Sequence, residues 1–193
     1  MNSTGILFVI IIIFSVVSAM LGLGYIVTLI LGFSLNLLFS IPVRLSGFFP
    51  IAFGVGFLSW TLFYRKLSDV IKSTYVTIVK AIKGTNVAKK LGRTETFTIM
   101  GPYKYVRHPQ YFGAFLLLIG LWLLLDYTFL FFGVVFLFLW FRFVLIPFEE
   151  KELVAIFNDQ YKNYMKQVPS IIPFTNIFRN KLRQSKFPIS FKG

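Results

Sequence analysis

Cysteine is absent from the 193-residue chain, and histidine occurs once, as His108. Without cysteine the chain can form neither a disulfide nor a catalytic thiolate, and its redox compartment cannot be inferred. A zinc site needs three or four Cys, His or carboxylate ligands, so a lone histidine without cysteine argues against one. We therefore expect no metal site.

Charged residues are also scarce, at 14% of the chain, and only seven residues are acidic. A soluble domain carries about 25% charged residues. The first charged side chain is Arg44, and an uncharged apolar run of that length indicates membrane-spanning helix. It is too long for a signal peptide, and no basic residue precedes it. We therefore predict an integral membrane protein with the lipid bilayer as its first partner.

The net charge of +13 comes mainly from two blocks of Lys and Arg, in residues 65–107 and 142–193. In membrane proteins such blocks are typical of cytoplasmic segments, and they attract anionic lipid headgroups. Nucleic-acid binding is the alternative explanation, but the confinement of the charge to two blocks favours topology. We expect both blocks to lie on the cytoplasmic side, with anionic headgroups and no nucleic acid as partners.

The apolar runs predict an all-α polytopic membrane protein with about five transmembrane helices in a single domain. Residues 1–64 would hold the N-terminal spans. Forty helical residues reach about 60 Å, twice the hydrocarbon thickness. We therefore expect residues 4–43 to form two spans with a break near Gly22 and Gly24; one tilted span plus a re-entrant piece is the alternative. Residues 47–64 would form a third span.

Residues 65–100 differ in kind, because apolar residues recur there at three- and four-residue steps between lysines. This spacing predicts an amphipathic helix that lies at the interface or continues the third span. Gly84 is its expected C-cap. Residues 94–98 would form a short extended piece.

An apolar run follows Pro109, which suits the first position of a helix. Asp126 interrupts the run, and a second apolar stretch continues to Leu145. This pattern predicts a helical hairpin that returns the chain to the cytoplasmic side. A further helix would emerge over residues 148–166. From about Val168 the chain is expected to be loose or to lie on the surface, ending in a basic tail.

Two polar groups flank this hairpin. Residues 101–111 read GPYKYVRHPQY, and residues 149–152 read EEKE. Arg142 lies in an apolar span, where a charge usually faces a polar cavity. Its seven-residue separation from Glu149 predicts a shared helix face, although Pro147 between them should loosen the helix. For Arg142 the alternative is an arginine that snorkels to the interface. For Arg107 and His108 the alternative is an interfacial basic pair, with the tyrosines as part of an aromatic belt.

The whole pattern resembles the isoprenylcysteine carboxyl methyltransferase family, which is similar to the phospholipid N-methyltransferases. The match covers about residues 90–170: the Arg-His-Pro run, two apolar spans, the paired glutamates, and then Phe157 and the tyrosines Tyr161 and Tyr164. The resemblance implies a helical membrane protein that binds S-adenosylmethionine at the cytoplasmic face, with residues 101–170 as the cofactor-binding core. Two residues depart from the family pattern: Leu145 stands where members often have a basic residue, and Asn158 where they commonly have glycine.

The chemistry of S-adenosylmethionine suits the residue types present. A glutamate of the pair could bind its ammonium, and Arg107 or His108 its carboxylate, by charge-assisted bonds; a tyrosine could stack on the adenine or face the sulfonium. The expected cofactor-binding residues are Tyr103, Tyr105, Arg107, His108, Pro109, Tyr111, Glu149 and Glu150. His108 and Arg142 are the expected catalytic residues.

The methyl acceptor is less well defined. The family's best-known substrate is a prenylcysteine carboxylate, but phospholipid amines and small thiols are alternatives. A related class is the sterol-type reductases with a nicotinamide cofactor, but the Gly-Trp-Trp run expected there does not precede His108. A non-enzymatic membrane scaffold or transporter is the remaining alternative, and it does not account for the two motifs occurring together.

Overall fold

A computed structural model describes residues 3–66, 68, 71, 75 and 99–173, with the backbone alone for residues 3–5. Its helices are α1 (Ser3–Ile30), α2 (Ile41–Ser46), α3 (Phe48–Tyr64), a 3-10 turn (Gly101–Lys104), α4 (Pro109–Leu125), α5 (Thr128–Trp140), a π turn (Phe141–Leu145) and α6 (Ile146–Gln167). In this part of the chain there are no strands, and an isolated antiparallel bridge joins Asn36 to Tyr127. The all-α prediction is therefore confirmed.

Three helical stretches of the described chain are long and apolar enough to cross a membrane: Ile6–Ile30, Ile41–Tyr64 and Thr128–Gln167. The apolar helix Pro109–Leu125 is shorter, at about 25 Å for 17 residues. Five spans were expected, and these residues supply three full-length candidates and a shorter fourth.

The break expected near Gly22 and Gly24 is wrong, because α1 continues through both glycines. Lipid offers no hydrogen bonds to an interrupted backbone, so a helix persists unless something else satisfies its polar groups. Gly24 instead permits a close helix contact. A Cβ atom there would lie 2.7 Å from the backbone nitrogen of Gly133 on α5.

Glycines also join the second helix pair, in which α3 packs against α4. A Cβ on Gly54 would lie 2.8 Å from the carbonyl oxygen of Gly113, and one on Gly47 would lie 2.6 Å from that of Gly120. Small residues of this kind let membrane helices approach closely where no hydrophobic force drives them together. The pairs α1–α5 and α3–α4 are therefore defined by backbone proximity.

The loop after α1 is attached to the turn between α4 and α5. Asp126, in a left-handed conformation (φ 62°), accepts the Leu37 N–H at its carbonyl (3.2 Å) and the Phe39 N–H at Oδ2 (3.0 Å). Thr128 donates its N–H to Leu35 O at 2.9 Å. This turn confirms the predicted hairpin of α4 and α5. It also places the end of α1 and the start of α2 on the side of the hairpin tip.

The opposite side holds the end of α3, the 3-10 turn and the residues after α6. The Tyr64 ring lies against Gly101, and Arg107 N–H donates to Pro169 O at 2.9 Å. The residues before α4 thus contact those after α6; the placement of both basic blocks on one cytoplasmic face stays a prediction.

The predicted amphipathic helix of residues 65–100, its cap at Gly84 and the extended piece at 94–98 lie almost wholly outside the described residues. Ser68, Ile71 and Tyr75 are described, and all three are helical. The Tyr75 ring meets Phe8 of α1 edge-on, with 6.1 Å between centroids.

The expectation of a loose chain from Val168 is wrong for the residues that directly follow α6. Val168 and Ile171 are buried, and Val168 packs with Tyr161 and Tyr164. These apolar side chains hold the chain against the body of the protein. Most of the basic tail, from residue 174 onward, lies outside the described residues.

Candidate functional site

The turn that leads into α4 positions the motif residues. Gly101 takes a positive φ of 56°, which suits glycine. Pro102 O then accepts the N–H groups of Tyr105 (3.0 Å) and Val106 (3.1 Å). Pro109 is the first residue of α4, as predicted. Arg107 and His108 are therefore placed at the junction of a tight turn and a membrane helix.

His108 lies between the two glutamates of α6. Its Nδ1 is 3.3 Å from Glu149 Oε2, and its Nε2 is 3.2 Å from Glu150 Oε1. The imidazole is only 3% exposed. The two polar groups that flank the hairpin in sequence thus form one cluster.

Burial is the largest single effect on the imidazole and disfavours its charged form. Hydrogen bonds to Glu149 and Glu150, and the charges of both carboxylates, act in the opposite sense and together outweigh it. The net result is a pKa of His108 raised above its ordinary value. The two carboxylates therefore stabilise the imidazolium form, which can donate to both of them.

Arg107 completes the cluster and has unused donors. Its Nη2 lies 3.1 Å from Glu150 Oε1, and its side chain is 10% exposed. Its Nε and Nη1 atoms are buried, with no hydrogen-bond partner among the described residues. Buried guanidinium donors without partners are costly, and each of them can donate a charge-assisted bond to an anionic oxygen. Arg107 can therefore bind an anionic group of a ligand.

Of the tyrosines, Tyr111 lies directly against the cluster. Its ring stacks on His108 (5.5 Å between centroids, 19° between planes) and on Phe141 of the π turn (5.0 Å, 25°). An aromatic face beside charged groups can accommodate adenine or a cation. The stack also connects the polar cluster to the aromatic interior between α4 and α5.

Tyr103 and Tyr105 contact other parts of the protein. Tyr103 is buried; its carbonyl accepts the Tyr164 hydroxyl at 2.6 Å, and its own hydroxyl donates to Gln110 Oε1 at 3.3 Å. Tyr105 is exposed, with its ring against Trp60 of α3 at 5.9 Å. These contacts fix the turn to α6, α4 and α3. They hold the motif in place from outside the cluster.

The structure does not bring Arg142 to the cluster. It is exposed, with its guanidinium carbon 5.6 Å from the centre of the Phe143 ring, whereas Glu149 is buried. The shared helix face predicted from the seven-residue spacing is wrong because a π turn intervenes, closed by the Ile146 N–H on Phe141 O. An i→i+5 turn contains an extra residue and changes the rotation between the two positions.

Asn158, where the resemblance implies glycine, bends α6. Its backbone angles are φ 44° and ψ −124°, inside an otherwise helical run. Glycine adopts a positive φ with such a ψ readily, whereas residues with a Cβ atom rarely do. Asn158 therefore places a side chain at a position whose backbone conformation suits glycine, the residue that the family pattern implies.

Sequence reasoning missed Ser170. Its hydroxyl lies 3.5 Å from Glu150 Oε1, the oxygen that also faces Arg107 and His108. No spacing rule connects it to either motif. The proline before it, which marks a change of direction after a helix, was the available signal.

The fold and the cluster define a helical membrane protein with two cationic and two anionic side chains gathered where three of its helical elements meet. Residues 71–160 match the model of the family described as Phospholipid methyltransferase. This region is therefore similar to that methyltransferase family, as the resemblance predicted.

Three curated relatives agree. The chain is 42% identical over 72 residues to a methanethiol S-methyltransferase of Crocosphaera subtropica, covering 37% of this chain and 27% of the relative. It is 41% identical over 90 residues to a protein-S-isoprenylcysteine O-methyltransferase of Schizosaccharomyces pombe, covering 45% and 37%. Over 116 residues it is 32% identical to protein-S-isoprenylcysteine O-methyltransferase B of Arabidopsis thaliana, covering 57% and 56%.

The chain thus spans between about a quarter and somewhat over half of the length of these relatives. No solved structure is significantly similar to it.

Proposed function

We propose that the protein is an integral membrane methyltransferase that uses S-adenosylmethionine and modifies a lipidic or small acceptor. The observation that carries the proposal is the pair of buried Arg107 nitrogens that have no hydrogen-bond partner among the described residues, in a side chain that contacts the Glu150 carboxylate. A ligand that offers a carboxylate and an ammonium a few ångströms apart complements this arrangement. The amino-acid end of S-adenosylmethionine has both groups.

Each residue of the cluster has a role in this proposal. Arg107 would bind the donor's carboxylate through Nε or Nη1. Glu149 and Glu150 would bind the ammonium, in competition with the His108 imidazolium. Tyr111, stacked against His108, would offer a ring face to the adenine or the sulfonium. Arg142, exposed on the π turn, has no role in binding the donor.

The cofactor supplies a methyl group on a sulfonium; the carbon–sulfur bond breaks as a bond to the acceptor forms, leaving the thioether. For an in-line displacement of this kind, positioning and exclusion of water supply most of the acceleration. The residues of the cluster are suited to both, because they are largely buried and mutually hydrogen-bonded.

The protonation state of His108 favours an acceptor that is already anionic. Its raised pKa favours the protonated form, which cannot accept a proton. A prenylcysteine-like carboxylate needs no base and is our first candidate. A thiol is the second, supported by the similarity to a methanethiol S-methyltransferase; a thiol must lose its proton first, and a phospholipid amine likewise.

The membrane setting follows from the same geometry. The cluster lies at the starts of α4 and α6, on the side that carries the described basic residues other than Arg44, which donates to Leu124 O near the hairpin tip. We place that side in the cytoplasm, where S-adenosylmethionine is made, and expect its lysines and arginines to contact anionic headgroups. An acceptor with a lipid tail would approach from the bilayer between helices.

Binding of S-adenosylhomocysteine to the protein purified in nanodiscs tests the proposal. Wild-type protein should bind it, and Glu150→Gln should weaken binding at least about tenfold, the size of one charge-assisted hydrogen bond. Asp159→Asn is the matched control, because Asp159 is exposed on the same helix and pairs with Lys162. Equal affinity in all three proteins would rule out this site.

The acceptor is found by supplying S-adenosylmethionine labelled in its methyl group to membranes that contain the protein. Label in a base-labile ester indicates a carboxylate acceptor, and label in a volatile thioether indicates a thiol. Label in a phospholipid headgroup indicates an amine. Transfer to none of these, from a protein that binds the cofactor, would contradict the enzyme assignment.

A further inference from the structure

The chain after α6 forms a short strap, residues 168–171, that returns to the start of α4. Val168 is extended (φ −110°, ψ 130°), as expected for a residue that precedes proline. Val168 and Ile171, at the two ends of the strap, are both buried, at 7% and 5% exposure. The strap is thus anchored by apolar side chains at each end, with Pro169 and Ser170 between them.

The middle of the strap is hydrogen-bonded to the two cationic residues of the cluster through the main chain. Pro169 O accepts the N–H of Arg107 at 2.9 Å, and Ser170 O accepts the N–H of His108 at 3.0 Å. These two N–H groups precede the first turn of α4, where no intrahelical acceptor exists. The strap therefore fixes the backbone from which both cationic side chains extend.

The Ser170 side chain adds a contact to the anionic half of the cluster. Its hydroxyl is 3.5 Å from Glu150 Oε1, at the long limit of a hydrogen bond. The same oxygen lies 3.1 Å from Arg107 Nη2. The strap thus touches both halves of the cluster, and the short main-chain bonds are its stronger contacts.

We propose that the strap is a positioning element of the donor site, and that Ile171 is the positioning residue that anchors it. By holding the Arg107 backbone, the strap keeps the guanidinium of that side chain in position for the ligand carboxylate. The strap lies beyond residues 71–160, which match the family model. The role in ligand binding rests on the proposed function; the control of the Arg107 and His108 backbone does not.

The chain offers a matched pair of variants. Ile171→Ala removes a buried anchor, whereas Ile172→Ala removes the same side chain from the next residue, which is 51% exposed. Hydrogen exchange of the unliganded protein in nanodiscs, read at the Arg107 and His108 amides, is the first measurement. We expect Ile171→Ala to speed exchange at these two amides at least about tenfold, because the strap then opens locally, and Ile172→Ala to leave it within about twofold.

Amides in the middle of α5 separate a positioning role from general destabilisation. Their exchange should be unchanged in Ile171→Ala, since the strap does not contribute to the α1–α5 helix pair. Equal exchange at Arg107 and His108 in the two variants, or equally faster exchange throughout α5, would overturn the proposal.

Binding of S-adenosylhomocysteine is the second measurement. Ile171→Ala should raise its Kd at least about tenfold, which corresponds to roughly 1.4 kcal/mol; Ser170→Ala should raise it by about two- to tenfold, with recovery in Ser170→Thr. Faster exchange with an unchanged Kd would overturn the ligand-positioning role. Failure of the wild-type protein to bind S-adenosylhomocysteine would contradict the proposed function. The exchange comparison would still decide whether the strap holds the backbone of Arg107 and His108.

Discussion

His108 and Glu150 are 42 residues apart in sequence, yet His108 Nε2 lies 3.2 Å from Glu150 Oε1. The hairpin of α4 and α5 accounts for this proximity. His108 directly precedes α4, and Glu150 follows the return of the chain through α5 and the π turn. Two apolar helical stretches of similar length, residues 109–125 and 128–145, bring the end of the hairpin back beside its start.

Stability should decrease as pH rises, because the pKa of His108 is raised in the folded protein. The groups that face the ring are Glu149, Glu150 and, through the shared carboxylate, Arg107. A raised folded-state pKa contributes stability that is complete below the unfolded-state pKa and is lost as pH rises through the folded-state value. The thermal midpoint in detergent should therefore be lower at about pH 9 than at about pH 6.

The control for this prediction is His108→Gln, which removes the titrating group and should flatten this part of the pH dependence. Because the chain has a single histidine, the ring resonances in an NMR titration report the folded-state pKa without assignment. A titration midpoint of the His108 ring at or below the pKa of an unstructured histidine would contradict the predicted rise in pKa.

We expect lysine at position 107 to bind the methyl donor less well than Arg107 does. Lysine has no planar fork and cannot reproduce both the bond to Glu150 and a bidentate contact with a carboxylate. Arg107→Lys should raise the Kd for S-adenosylhomocysteine at least about tenfold. Arg142→Lys is the matched control and should change it less than about twofold, since Arg142 is exposed beside Phe143.

The same pair tests the catalytic role expected for Arg142. A large loss of kcat in Arg142→Lys with unchanged donor affinity would support a contact with the acceptor. Unchanged kcat and unchanged affinity would leave Arg142 as an interfacial arginine, the alternative that its exposure favours.

The sequence carried enough information to predict that the two motifs meet. Pro109 marks the start of one helix, Asp126 marks a turn, and the two apolar runs have similar lengths. In a bilayer these features leave few arrangements other than a hairpin. The close contacts of His108 with both glutamates follow from that arrangement.

The remaining features depend on contacts that no local pattern specifies. The π turn changes the face on which Arg142 lies, and Pro147 alone does not distinguish a π turn from a simple kink. Gly24 permits a close contact of α1 with Gly133, which lies far along the chain. The strap is held to Arg107 and His108 by main-chain hydrogen bonds, which are largely independent of side-chain identity.

Replacing Asn158 by glycine should stabilise the protein. Asn158 is exposed and adopts φ 44° and ψ −124°, and a residue held in such a region costs about 1–3 kcal/mol. Glycine relieves this strain but loses more backbone entropy on folding, so we expect a net gain of about 1 kcal/mol. The measurement is the unfolding free energy in mixed micelles. Asn158→Ala is the control and should destabilise; a gain with alanine would mean that helix propensity, rather than strain, governs this position.

Gly54 and Gly56 provide a test of the packing between α3 and α4. A Cβ on Gly54 would lie 2.8 Å from Gly113 O and 3.0 Å from Leu117 N, both backbone atoms that cannot rotate away, whereas a Cβ on Gly56 would meet nothing within 4 Å. Gly54→Ala should therefore destabilise by about 1–3 kcal/mol, the usual cost of overpacking. Gly56→Ala should be neutral or stabilising by up to about 1 kcal/mol, the difference in helix propensity. Unfolding in mixed micelles measures both, and equal effects of the two alanines would mean that α3 and α4 are not held together by this glycine contact.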